Sequence, residues 1–317
     1  MENDYIVLDG GQHSALALSI SDRTNSKGNI TVKRFLDGEI SVKIGESVRD
    51  KKVFLIAPTC PPVNDSLMGL MITLDALRRA SATEVSVVMP YFGYARQDKK
   101  AHPREPITAS MVAHMIQMYS NVSRVIALDL HAPQIQGFFD IPVDHLYGGP
   151  LIADHLYKRE FHKRNIVIIS PDVSSVGRAK NLADVLKCDI AIIAKRRPEA
   201  GRVEIMNVIG DVSDKTCIII DDMIDSGNTI IKGSEALMHH GATDVYVTAT
   251  HGLFSGDSRN KFMEAEHIKE VICLNSTPMT QEKVFDKLTV IDVAPMLSEA
   301  IDRIAKGKSV SEMFESK

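Results

Sequence analysis

The chain has 317 residues, 44% of them hydrophobic and 25% charged, which suits about two domains and excludes a disordered chain. Lys and Arg number 37 against 41 Asp and Glu, a formal charge of -4 that disfavours a nucleic-acid-coating protein but allows a local anion site. No apolar run approaches the ~18–20 residues of a membrane span, and the opening MENDYIVLDGG lacks the basic and apolar segments of a secretion signal. Cys60, Cys188, Cys217 and Cys273 are scattered without CxxC or metal-ligand spacing, and read as small buried hydrophobes in a reducing compartment. The expectation is a soluble cytoplasmic protein with no nucleic-acid or membrane partner.

In chain order, the first strand-like run is 53–57 (VFLIA), followed by a helical stretch over 65–80 with Leu67, Leu70, Met71, Leu74 and Leu77 on one face. Strand-like 85–89 leads to helical 109–119, 125–128 to 149–161, and 166–169 to 178–186. Runs at 190–194 and 217–220 follow, then helical 229–240 and a last run at 245–249. These runs are short, β-rich and mostly apolar on both faces, the pattern of parallel strands buried on both sides of a sheet. Strand and helix alternate, so the expected fold class is α/β, two doubly wound domains whose mainly parallel sheets are flanked by helices. Two prolines and two glycines near 141–150 (IPVDHLYGGP) mark a junction, giving an N-terminal domain over 1–147 and a C-terminal domain over 148–317. The stretch 195–211 opens with the polar, basic KRRPEAGRVE between two apolar runs. It reads either as a solvated hairpin connection or as a mobile cationic loop over an active site.

Residues 217–229 (CIIIDDMIDSGNT) carry the most information. A buried strand ends in Asp221 and Asp222, a loop brings Asp225, Ser226, Gly227, Asn228 and Thr229, and a helix begins. One reading is an acidic helix cap. The other is a phosphate cradle, in which Gly227 allows an unusual turn and Ser226, Thr229 and the first helical N–H groups donate to phosphate oxygens. The carboxylates there could hold sugar hydroxyls or a magnesium shell. The whole pattern resembles the ribose-phosphate loop of the phosphoribosyltransferase fold. There is no GxxxxGK[ST] and no strand-borne GxGxxG, so neither a P-loop NTPase nor a dinucleotide fold is supported.

Three further segments matter. YFGYARQDKK (91–100) gathers Arg96, Lys99 and Lys100 behind Tyr91, Phe92 and Tyr94, where a flat ring and a polyphosphate could both be met. DLHAPQIQGFFDIPVD (129–144) places Asp129 and His131 at a strand's carboxyl end with Asp140 and Asp144 downstream, a metal-site candidate. FLDGE occupies 35–39.

Together with the ending SVSEMF, these segments resemble the ribose-phosphate pyrophosphokinase (phosphoribosyl pyrophosphate synthetase) family, in its phosphate-activated class of bacterial type, over essentially the whole chain. The resemblance implies two phosphoribosyltransferase-like domains, an ATP side in 1–147 and a ribose 5-phosphate side in 148–317. It implies transfer of an intact pyrophosphoryl group from Mg-ATP to the 1-hydroxyl of ribose 5-phosphate, giving 5-phosphoribosyl 1-diphosphate and AMP. Arg96 and Gln97 would hold ATP with its ring near Phe35, and Asp37, Gly38 and Glu39 would contact the nucleoside from a neighbouring subunit. His131 and Asp172 would touch Mg2+. Asp221, Asp222, Asp225, Ser226, Gly227, Asn228 and Thr229 would bind ribose 5-phosphate, with Arg197 reaching the same site. Lys195 and Arg197 would be the catalytic cations of a flexible loop over about 195–211. Ser47, Arg49, Ser81, Ser309, Ser311 and Phe314 match an allosteric site taking activating inorganic phosphate or inhibitory ADP, and the implied assembly is a homohexamer of dimers.

Two positions depart from the family pattern. Ser174 and Ser175 follow Asp172 where a Gly-Gly pair is usual, so side chains there crowd a ligand or add donors. Asn228 stands where glycine is common. Two other readings share the loop: a non-catalytic regulatory relative, and a phosphoribosyltransferase that consumes the diphosphate.

Overall fold

The computed structural model describes residues 5–196 and 205–314. The chain divides into two compact units, the first running to Tyr147 and taking up Ser276–Pro278 and everything from Val293 onward, the second comprising Gly148–Asn275 and Met279–Asp292.

The first unit contains β1 (Tyr5–Asp9), α1 (Ser14–Thr24), β2 (Ile30–Arg34), β3 (Ile40–Ile44), β4 (Lys52–Ile56), α2 (Val63–Arg79), β5 (Glu84–Met89), α3 (Thr108–Gln117), β6 (Val122–Leu128) and β7 (Val143–Leu146). Strands β1-β4-β5-β6-β7 form a parallel sheet in that order. On α2, Leu67, Leu70, Met71, Leu74 and Leu77 are buried in the same core as Val53, Leu55, Val85 and Val87, as their helical spacing requires. Asp65 in its first turn and Arg78 and Arg79 in its last complement the helix dipole.

Strands β2 and β3 stand apart as an antiparallel hairpin. Their half-polar alternation, ITVKR and ISVKI, never makes an apolar run and escapes a search for buried strands. The FLDGE segment is the hairpin's turn, closed by Phe35 N–H on the Glu39 carbonyl at 2.8 Å and Gly38 N–H on the Phe35 carbonyl at 3.0 Å. Gly38 has φ +100, a conformation that disfavours any side chain.

The second unit contains α4 (Gly149–Lys158), β8 (Ile166–Ser170), α5 (Val176–Leu186), β9 (Asp189–Arg196), β10 (Ile205–Ile209), β11 (Thr216–Ile224), α6 (Asn228–His239), β12 (Asp244–Gly252), α7 (Ser258–Glu264), β13 (Ile268–Leu274) and β14 (Leu288–Ile291). The sheet order is β10-β9-β8-β11-β12-β13-β14, parallel except for β10 against β9. Every residue of β8 is buried, so the expectation of strands covered on both faces holds there. Cys60, Cys217 and Cys273 are buried free thiols and Cys188 is a half-buried one. Among the described residues, no helix is long and apolar enough to cross a membrane.

Three boundaries differ from the sequence reading. Strand β11 continues past Ile220, because Asp221, Met223 and Ile224 still pair with Ala249, His251 and Gly252 of β12. The stretch expected as loop over 195–211 is shorter at both ends: Lys195 pairs with Met206 and Arg196 with Ile205, in a β9–β10 ladder. Finally, α8 (Ala294–Ala305) belongs to the first unit, although the sequence division put all of 148–317 in the second.

The reason for the last difference is packing. Helix α8 lies against α1, burying Leu297, Ala300 and Ile301 while α1 buries Leu16, Ala17 and Ile20. The Tyr5 hydroxyl of β1 donates to Asp302 Oδ1 at 2.5 Å. Burial and this carboxylate push the Tyr5 phenol up to about 12. Leu297→Ala is therefore expected to cost about 2–5 kcal/mol. Hydrogen exchange should report the loss in β1 and α1 of the first unit, whereas Leu237→Ala should loosen the second.

Candidate functional site

In the second sheet, the chain goes from β8 outward to β9, then returns to lay β11 on the other side of β8. Open α/β sheets bind ligands at such a switch, beyond the carboxyl ends of the two strands. Here those ends are acidic. Parallel pairing, with Ile169 beside Ile219, makes the segment after β8 a neighbour of the end of β11.

After β8, Ser170-Pro171-Asp172 turns, and the Ser170 hydroxyl donates to the Asp172 carbonyl at 2.6 Å. Asp172 Oδ1 accepts from the Ser174 hydroxyl at 2.6 Å and from the Ser175 N–H at 2.9 Å. Burial alone would raise this carboxyl, but the donors on Ser174 and Ser175 outweigh it and hold Asp172 below the ordinary carboxylate range. A permanently ionised oxygen ligand suits Mg2+, which binds through one or two carboxylates together with substrate phosphates. Among the described residues, no group of three or more His, Cys, Asp or Glu side chains gathers to hold a metal.

Asp221 and Asp222 are neighbours in a strand, so their side chains leave opposite faces of the sheet. Asp222 is buried, at 4% exposure. Asp221 keeps 20% of its side chain exposed, with the Arg178 guanidinium 4.0 Å away. Its Oδ1 accepts from the Asp222 N–H at 2.9 Å and the Ser175 hydroxyl at 3.3 Å. Desolvation first, and the Asp222 carboxylate second, push Asp221 up to about 7.

The loop beyond β11 is pinned by backbone bonds. Leu253 and Phe254 N–H groups donate to the Ile224 carbonyl, and Ser255 N–H donates to that of Asp225 at 3.1 Å. Gly227 caps α6 with φ +73, and a Cβ there would come 2.9 Å from the Phe262 ring. A glycine cap brings no side-chain oxygen to the helix, so the first turn of α6 is not capped from Gly227. Ser226, Asn228 and Thr229 are exposed around it. Lys261 of α7 donates to Asn228 Oδ1 at 2.8 Å. Neither Lys261 nor Arg178 stands out in the sequence; only the pairing of β11 with β8 and β12 reveals them.

Lys195 is a strand residue of β9, and Arg197 lies outside the described residues. The other expected groups are in the first unit. Phe35 is 58% exposed at the tip of the β2–β3 hairpin, beside Asp37, whose Oδ1 accepts the Glu39 N–H at 3.1 Å. Arg96 and Gln97 are exposed after β5, with Gln97 Oε1 fixed by the Thr108 hydroxyl at 2.6 Å. His131 is exposed after β6, at a turn where Asp129 has φ +38 and the Leu130 N–H donates to His145 Nε2.

Two groups of expected ligands have other duties. Tyr91 and Phe92 are buried, Phe92 edge-on to Phe139, and so belong to the core. Asp144 is ion-paired to Arg124 at 2.6 Å, and Asp140 accepts from Gln117 at 2.8 Å, so both serve structure. The six expected effector residues form two groups. The Asp50 N–H bonds the Ser81 carbonyl, joining the Ser47–Arg49 segment to Ser81. Ser309 and Ser311 hydroxyls meet at 2.8 Å, Arg303 donates to the Ser309 carbonyl, and Phe314 packs edge-on to Tyr147.

A doubly wound sheet with an acidic strand end and a glycine-capped helix at its switch point defines a phosphoribosyltransferase-type α/β protein. Sequence comparison narrows the class. A family profile described as the N-terminal domain of ribose phosphate pyrophosphokinase matches residues 5–119, and one described as the phosphoribosyl synthetase-associated domain matches 194–315. The chain is 48% identical to the ribose-phosphate pyrophosphokinase of Caldanaerobacter subterraneus subsp. tengcongensis, over 98% of each chain. It is 49% identical to that of Bacillus caldolyticus, over 91% of this chain and 90% of the other. The crystal structure of phosphoribosylpyrophosphate synthetase from Mycobacterium smegmatis superposes with a TM-score of 0.88 at 37% identity, covering 96% of this chain and 99% of that one. The chain belongs to the ribose-phosphate pyrophosphokinase family.

The raised Asp221 acid gives a pH test. Below about 4 the group is protonated in both folded and unfolded chains and contributes nothing. As pH rises towards 7, the unfolded chain ionises first and folding loses stability, fully so above 7. Asp221→Asn should therefore stabilise the ligand-free protein at pH 8, by at most about 4 kcal/mol. Melting curves of the two proteins should converge by pH 4.

Proposed function

We propose that the chain transfers the pyrophosphoryl group of Mg-ATP to the 1-hydroxyl of ribose 5-phosphate, giving 5-phosphoribosyl 1-diphosphate and AMP for nucleotide synthesis. One observation carries this reading: the acidic end of β11 leads through a glycine turn into the N-terminus of α6, at the switch point of the sheet. The 5-phosphate takes the N–H groups of that helix start, with the Ser226 and Thr229 hydroxyls. Asp221 and Asp225 would accept from the ribose hydroxyls, as a carboxylate can, and Asp222, buried on the opposite face of β11, would act through Asp221. Ligand cations and hydroxyl donors replace the solvent that burial removed from Asp221.

Arg96 and Gln97 hold the nucleotide, with its ring against Phe35 and its nucleoside against Asp37, Gly38 and Glu39. Asp172 and His131 would hold Mg2+, whose charge would offset that of the triphosphate. Pyrophosphoryl transfer requires positioning and charge stabilisation more than covalent help. Lys195 supplies a point charge and Arg197 a planar fork for two phosphate oxygens. The setting is the cytoplasm and the assembly a homohexamer. Inorganic phosphate activates and ADP inhibits at the site of Ser47, Arg49, Ser81, Ser309, Ser311 and Phe314.

The regulatory-relative reading draws its support from Ser174 and Ser175. Both donate to Asp172 and hold it ionised, which favours a working metal-side carboxylate. Phosphorus NMR with Mg2+, ATP, ribose 5-phosphate and inorganic phosphate should show AMP and a sugar-linked diphosphate. ADP in place of AMP would overturn β-phosphorus attack. Lys195→Ala should lower kcat roughly 10²–10³-fold with both KM values nearly unchanged.

A further inference from the structure

Ser175 is 6% exposed and touches both acidic groups at the switch point. Its N–H donates to Asp172 Oδ1 at 2.9 Å, and its hydroxyl donates to Asp221 Oδ1 at 3.3 Å. These carboxylates are 49 positions apart in sequence, Asp221 near the end of β11 and Asp172 in the turn that follows its neighbour β8. A residue with one donor on each makes them a single rigid unit. The other groups facing Asp221 are the Asp222 N–H and carboxylate and the Arg178 guanidinium. Ser174 touches Asp172 alone through its hydroxyl.

We propose that Ser175 is a positioning residue that locks the metal-side carboxylate of Asp172 to the sugar-side carboxylate of Asp221, so that Asp221 is pre-aimed at the ribose hydroxyls. This rests on the ribose 5-phosphate reading above. The two bonds are separable by mutation. Ser175 has φ -89 and ψ 1, open to any residue, so Ser175→Ala keeps the N–H bond to Asp172 and removes the hydroxyl, which links to Asp221 and adds a smaller hold on Asp172 beside the Ser174 hydroxyl and the Ser175 N–H. Ser174→Ala does the opposite: it weakens the hold on Asp172 and leaves Asp221 untouched. Pre-organisation lowers what binding must spend on orienting a group, so its loss falls on the ligand that Asp221 meets.

The experiment is titration calorimetry of ribose 5-phosphate into the full-length protein without nucleotide, alongside KM values for both substrates. Ser175→Ala should weaken ribose 5-phosphate binding roughly 5–20-fold while the KM for ATP moves less than about twofold. Ser174→Ala should keep the ribose 5-phosphate affinity, and Ser175→Thr, which restores a hydroxyl, should recover most of the loss. Unchanged affinity in Ser175→Ala would overturn the proposal and leave the function intact. So would equal losses for both substrates with a lowered melting temperature, the mark of a merely structural serine. If the unmutated protein binds no ribose 5-phosphate, the function reading fails and takes this proposal with it.

Discussion

Much at the candidate site follows from one constraint: a strand buried on both faces admits charge only near its carboxyl end, and there at a cost. Strand β8 is apolar throughout until Ser170, and β11 until Asp221. Parallel pairing brings both ends to the same edge. Polar chemistry is therefore concentrated where the core stops, and the reversal of strand order between β8 and β11 opens that edge to a ligand. The first sheet runs through its strands without such a reversal, so its exposed functional candidates sit on turns and on the β2–β3 hairpin.

The arrangement holds an unresolved electrostatic conflict. Asp221 is crowded by Asp222 and poorly hydrated, while only 2.9 and 3.3 Å hydrogen bonds and a guanidinium 4.0 Å away oppose the strain. Asp172, one strand away, is the reverse case, a half-buried carboxylate kept ionised by its donors. Two acids of the same kind on one edge are thus set to opposite tendencies by their surroundings. A ligand that donates hydroxyls relieves the first, and a cation satisfies the second. The loop between them and α6 is held by backbone bonds and by a glycine that packs on Phe262, while Lys261 steadies Asn228.

Much of this was legible in the residues. Runs apolar on both faces identify β4, β5, β8 and β12, and the CIIIDDMIDSGNT pattern identifies the turn into α6, because burial and glycine chemistry act locally. The hairpin of β2 and β3 was not legible, since its alternation is half polar and it packs outside the main sheet. Tyr91, Phe92, Asp140 and Asp144 mislead for a common reason: a side chain's neighbours, absent from the local sequence, decide whether it faces a ligand or the core. Ser175 is the sharpest case. The sequence marks it as a serine where glycine is usual, but its bond to Asp221 exists only because β11 returns beside β8.

The placement of α8 has a consequence for how the chain is made. The second unit is inserted in the sequence of the first, which is completed only by the helix at Ala294–Ala305. During synthesis from the N-terminus, the whole of Gly148–Asn275 emerges while α1 still lacks its covering partner. The later-made unit can therefore finish folding before the earlier-made one closes. A cut after Tyr147 would not free a complete first domain but a piece with one apolar helix face uncovered.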